Sequence, residues 1–337
     1  MKLTIRFFLR CLVLALILSC VHWGVPHFPT AWAATAPCPS GMTYIKGGTF
    51  TMGSNQFYPE EKASGKVQVS DFCMAKTEVT NAEFAEFVAA TRYVTVAEQP
   101  LSTAEFPDLP LDARQPGSVV FIPHSPGSPV VPEMSWWHWV NGADWQHPNG
   151  PESTIIGKTH DPVVQIAFAD AQAYATWKNA SLPTEAQWEY AAKGGKPNWL
   201  YTWGNQYAAD RANTWQGRFP YDNTQADGYL GLAPVRSFPP NSYGLYDMTG
   251  NVWEWTDDWY KPGHEDKTGQ QNPVVADASA SFDPRDPKTA KHVIKGGSYL
   301  CARNYCSRYR PTAREGQEPN SGTSHIGFRL VKKLEFQ

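Results

Sequence analysis

Twenty-eight prolines and 26 glycines are distributed through 337 residues, and this punctuation limits the fold more than any other feature of the chain. Proline fixes φ and removes a backbone donor, while glycine frees the backbone for tight turns, so the chain must turn often and can form few long helices. Aromatic burial is what can hold such a chain together. Fourteen Trp, 15 Tyr and 16 Phe run over most of its length, each able to bury a large apolar area. The length suits one large domain or two small ones, and the spread of aromatics favours one.

Short periodic segments stand between the turns. Residues 42–53, with Gly47-Gly48 at their centre, alternate apolar and polar side chains as a strand, turn and strand. Residues 67–72 predict another strand. Thr80 followed by Glu83 predicts a capped helix through Val88. A proline-rich stretch over 97–132 shows no period and reads as a long surface loop. A second helix is expected over 167–178, with Phe168, Ala171, Tyr174, Ala175 and Trp177 on its buried face, and a third after Thr184. From Trp203 onward short strands and irregular loops rich in Asn, Asp, Gly and Trp predominate. No solenoid or propeller period is present. The fold class is α+β, a single domain with much irregular structure, whose loops leave many polar groups to satisfy; bound cations would meet part of that need.

The formal net charge is −3, and Lys and Arg are scattered, which gives no nucleic-acid footprint. Lys2, Arg6 and Arg10 precede an apolar run from Cys11 to Val21, and Ala31-Trp32-Ala33 offers a cleavage site, so residues 1–33 read as an export signal. That run is too short to span a bilayer comfortably. The alternatives are a lipoprotein-type site at Cys20 and a buried N-terminal helix. The expected domain then occupies 38–333, exported to the periplasm or secreted, with no transmembrane segment once the signal is removed. Four cysteines remain. Cys38 and Cys73 lie at the two ends of one N-terminal segment and read as a structural disulfide, which leaves Cys301 and Cys306.

Those two thiols lie in Gly296-Gly297-Ser298-Tyr299-Leu300-Cys301-Ala302-Arg303-Asn304-Tyr305-Cys306-Ser307-Arg308-Tyr309-Arg310. With four residues between them on a short loop, they can point at one place. The close Cys and His pairs that zinc requires are missing, whereas two thiolates suit a soft monovalent ion such as Cu(I). Arg303, Arg308 and Arg310 would favour thiolate. The bland alternative is an ordinary Cys301–Cys306 disulfide in a non-catalytic protein- or glycan-binding module. Non-haem iron chemistry would need clustered histidines, and a serine hydrolase a Gly-x-Ser-x-Gly elbow; neither is present.

This segment resembles the formylglycine-generating enzymes, the sulfatase-modifying factors. The likeness extends over residues 42–329 through Gly47 to Gly53, Lys76 to Asn81, Trp145 to Pro148, Leu182 to Ala191, Asn241 to Met248, Gly250 to Trp255 and Gly327-Phe328-Arg329. The resemblance implies a fold related to C-type-lectin-like arrangements. It also implies oxidation by O2 of a cysteine in a Cys-x-Pro-x-Arg segment, in an unfolded sulfatase or another Cys-containing protein, to formylglycine. By the same likeness Cys301 and Cys306 hold Cu(I), Ser298 stands near substrate and oxygen, and Trp253 and Tyr305 wall the substrate pocket. Two structural calcium sites are implied: Asn213, Thr214, Asp227 and Tyr229 form one, and Asp247, Gly250, Val252 and Glu254 the other. The chain departs from the family pattern at Ala302, where histidine is usual, and at His325-Ile326, where asparagine and leucine are usual.

Overall fold

The computed structural model describes residues 38–103 and 107–334; the stretch expected to be an export signal, Cys20 included, lies outside them. In chain order the strands and helices are β1 (Met42–Ile45), β2 (Gly48–Met52), β3 (Gly65–Val69), β4 (Phe72–Ala75), α1 (Asn81–Thr91), β5 (Gly117–Phe121), β6 (Trp137–Asn141), α2 (Phe168–Trp177), α3 (Glu185–Lys193), β7 (Trp253–Trp259), β8 (His292–Lys295), β9 (Arg314–Gln317), β10 (Ile326–Gly327) and β11 (Val331–Lys333). Short helices and short strands alternate with long irregular connections, as the Pro and Gly content requires.

Strands pair as β10-β7-β8-β9, β1-β4-β11, β2-β3 and β5-β6. All pairs are antiparallel except β10 with β7, where Ile326 faces Trp253. The largest core packs Phe84 and Phe87 of α1, Tyr174 of α2, Trp253 and Trp255 of β7, Phe328 and the Cys301 side chain together. Ring contacts at 5.3–5.8 Å join Phe84 to Trp145, Tyr174 and Phe87, so aromatic interlocking supplies much of the burial that long helices would otherwise give.

The capping box expected at Thr80 forms, and the structure adds a second at Thr184. Glu83 N donates to the Thr80 hydroxyl while Glu83 accepts from Thr80 N, and Thr184 with Gln187 repeats the arrangement. Cys38 and Cys73 form a disulfide. Three expectations need correction. The strand expected over 67–72 breaks at Ser70 and Asp71 into β3 and β4, because Asp71 turns to accept from Gly47 N. The stretch 97–132 is not all loop: residues 117–121 form β5 against β6. Trp177 is 37% exposed; it ends α2, where the Lys178 ammonium stands 4.3 Å from its ring.

Candidate functional site

The thiol loop leaves β8 through Gly296 and Gly297. Both have positive φ, and a Cβ on Gly297 would stand 3.0 Å from the Arg308 carbonyl and the Tyr309 Cα. Only glycine allows the two arms of the loop to approach this closely. Tyr299 N then donates to the Asn251 carbonyl and Trp215 N to the Cys301 carbonyl, while Cys306 N closes back on the Ala302 carbonyl at 2.9 Å. These bonds turn both thiols to one side, with the sulfurs 3.1 Å apart. Neither is in a disulfide.

The thiols differ in setting. Cys301 is 2% exposed, and burial pushes its thiol well above the ordinary range, with only Ser298 N at 3.5 Å and the more distant Arg308 charge opposing. Cys306 is partly exposed and held down at about 7, first by the bond from the Cys301 thiol and then by the Arg308 guanidinium at 4.0 Å. Arg308 is fixed from behind by Glu60 at 2.5 Å and Glu315 at 3.2 Å. The other two arginines do not serve the thiols. Arg310 pairs with buried Glu61, and Arg303 lies over the Tyr207 ring.

Both sulfurs line a cavity of about 740 Å³, together with Ser298, Trp253, Tyr305 and His325. Tyr305 stacks on Phe219 at 4.5 Å and meets Trp136 edge-on. Trp253 is 4% exposed, and its backbone N–H donates to the His325 carbonyl. His325 bonds the Thr323 hydroxyl at 2.7 Å and packs on Trp137; burial takes its imidazole down to about 3, so it is neutral at ordinary pH. Ala302 is fully buried against Trp215. The pair of sulfurs, with no oxygen ligand between them, fits a soft monovalent metal.

Of the expected calcium sets, the first is already satisfied by amide donors. Asp227 accepts from the backbone N–H groups of Thr214 and Tyr229 and from the Gln216 amide, which also donates to the Thr214 carbonyl. The Asn213 amide donates to Gly231 and Asn251, so a cation there would have to displace these donors. In the second set, Gly250 and Val252 flank Asn251 in the turn before β7, and Asp247 accepts from Arg236 N at 2.8 Å. Glu254 takes two bonds from Arg329, at 2.6 and 2.7 Å, and one from Trp188 Nε1 at 2.8 Å. Beside Asp247 lies a buried acid that motif reading missed, Glu78.

The sequence model described as "Sulfatase-modifying factor enzyme 1-like domain" matches residues 29–334. A formylglycine-generating enzyme of Mycobacterium tuberculosis is 48% identical over 291 residues, covering 85% of this chain and 96% of that protein. A mouse protein named inactive C-alpha-formylglycine-generating enzyme 2 is 35% identical, covering 86% and 85%. In fold the chain is similar to PvdO from Pseudomonas aeruginosa, with a TM-score of 0.56 at 22% identity, over 87% and 94% of the two chains.

Proposed function

Because the chain belongs to the sulfatase-modifying factor family, we propose that it is a formylglycine-generating oxidase that converts a cysteine of a sulfatase-type polypeptide to the aldehyde. The observation that carries this reading is the pair of unbridged sulfurs, 3.1 Å apart, on the wall of a cavity large enough for a peptide side chain. A non-catalytic binding module has no evident use for two reduced thiols with an arginine braced against one of them.

Cys301 and Cys306 would hold Cu(I), which when bound would supply the redox chemistry with O2 that side chains lack. The protein's own contribution is positioning. Arg308 favours the thiolate at Cys306, and burial shields Cys301 from water. Tyr305, stacked on Phe219, and Trp253 give the visiting segment apolar walls, while Ser298 and neutral His325 offer hydrogen bonds that carry no charge. In net terms the substrate carbon gives up two electrons, and dioxygen takes four to become the aldehyde oxygen and water. A thiol reductant supplies the remaining two, and the sulfur leaves as hydrogen sulfide. Structural calcium belongs to the same proposal, as does export, for which the basic and apolar N-terminal residues are the support. Among the described residues no helix is long and apolar enough to cross a membrane.

The test incubates Cu(I)-loaded protein, oxygen, reductant and a Cys-x-Pro-x-Arg peptide, followed by mass spectrometry for conversion of thiol to aldehyde. Conversion by the native chain and its loss in both Cys301→Ala and Cys306→Ala is the expected result. Unchanged peptide with the native chain would return the protein to the non-catalytic reading.

A further inference from the structure

Met52, Met74 and Met248 are at most 2% exposed, and Met42 packs against the largest core. Met134 differs. It is 55% exposed, and it stands on the wall of the same cavity as Cys301 and Cys306. The turn that carries it is bonded on both sides: Ser135 N donates to the Pro132 carbonyl and Trp137 N to the Met134 carbonyl, at 3.2 and 3.1 Å. Met134 itself has a φ of 68°, which residues with a side chain seldom adopt. Its sulfur accepts from the Tyr305 hydroxyl at 3.7 Å. Tyr305 immediately precedes Cys306 and is fixed by stacking on Phe219 and by its edge contact with Trp136. One cavity therefore presents three sulfurs at graded depth, with Met134 the most open, Cys306 partly exposed and Cys301 buried.

We propose that Met134 is an entry ligand for the soft ion: its thioether captures Cu(I) at the mouth of the cavity and passes it inward, to Cys306 and then Cys301. The chemistry is ligand exchange without electron transfer. The Met134 sulfur bonds to the ion as a ligand of the copper donor leaves. Each cysteine sulfur then displaces a weaker ligand and gives its proton to water, and the ion stays monovalent throughout. A thioether is soft enough to select Cu(I) over hard cations, and being uncharged it holds the ion less firmly than a thiolate, so it can release what it catches. Glu133, on the same wall, adds a negative charge that favours approach of a cation. Without Met134 the first ligand exchange would fall to the cysteines deeper in the cavity. The inference rests on the copper reading of the two thiols and not on oxidation of a peptide. The competing role for Met134 is an apolar wall, which leucine would serve equally well.

The full chain, reduced, metal-free and under nitrogen, is mixed with the Cu(I) complex of bathocuproine disulfonate. Loss of the chelator's colour in stopped flow gives the loading rate, and the end point against rising chelator gives the affinity. Met134→Leu keeps the size and apolar character of the side chain and removes only the sulfur. It should load about tenfold more slowly, with a final affinity within about twofold of the native chain. Met134→Gln, a second variant without sulfur, should slow loading to the same degree. Equal loading rates in the native chain and Met134→Leu would overturn the proposal and leave Met134 as a wall. A parallel fall in rate and affinity would also overturn it, because that marks a ligand of the final site or a damaged cavity. A native chain that takes up no Cu(I) would sink this proposal and the copper reading together. Loading that depends on Met134, in a chain that leaves the Cys-x-Pro-x-Arg peptide unchanged, would uphold the entry role and remove only the oxidase reading.

Discussion

The Arg308 guanidinium lies 4.0 Å from the Cys306 sulfur and reaches Cys301 only through space. The burial of Cys301, its bond to Cys306 and this one cation, braced by Glu60, together make two neighbouring thiols unequal. In metal-free protein, iodoacetamide should label Cys306 well before Cys301, with a rate that rises through about pH 7, where the pKa of Cys306 is held. Arg308→Met should move that rise upward, towards the ordinary thiol range. Peptide mapping of the alkylated sites across pH checks both statements.

Gly297 should tolerate no side chain. Gly297→Ala combines a positive φ with a Cβ 3.0 Å from backbone, and should cost more than about 1 kcal/mol and weaken Cu(I) retention against a chelator. Gly269 also has positive φ but nothing within 4 Å of a built Cβ. Gly269→Ala is the control: a comparable backbone penalty with Cu(I) retention unchanged.

The buried pair Glu61–Arg310 should be among the costliest to break. Both residues are at most 2% exposed, and Thr312 adds a third bond to the same carboxylate. Glu61→Gln strands the guanidinium and should lower the unfolding free energy in urea by about 3–5 kcal/mol.

His292 should make the protein acid-labile. Its ring lies between Phe168 at 3.5 Å and Trp259 at 3.8 Å, and burial lowers its pKa from 6.5 to about 4. A depressed base stabilises the native state fully above the unfolded pKa, and that stability drains away as pH falls from 6.5 to 4. Below about 4 both states are protonated and the loss ends. The shift corresponds to about 3 kcal/mol. His292→Phe keeps the stacking and should flatten the fall in melting temperature over this window relative to the native chain.

What the sequence made legible was local. The capping box at Thr80, the helix start at Thr184 and the thiol spacing each involve groups within a few residues of one another, where chain geometry alone brings them together. β5 escaped notice because Gly117 to Phe121 is a short run between prolines, too brief for alternation to stand out. Glu60, Glu61 and Glu78 escaped for a different reason. Their partners Arg308, Arg310 and Asn251 lie 248, 249 and 173 residues away, and no spacing rule connects groups that meet only through tertiary packing. The Arg329–Glu254 pair shows the same limit, since its two residues are 75 positions apart.

β4 has β1 on one side and β11 on the other. The opening and closing stretches of the domain are thus stitched to a shared strand, and a ribosome must emit Val331–Lys333 before that stitch can be made. Assembly is consequently late and governed by distant encounters, which slow folding. Removing even the last three paired residues would unseat β4 from one edge, far along the chain from where the cut was made.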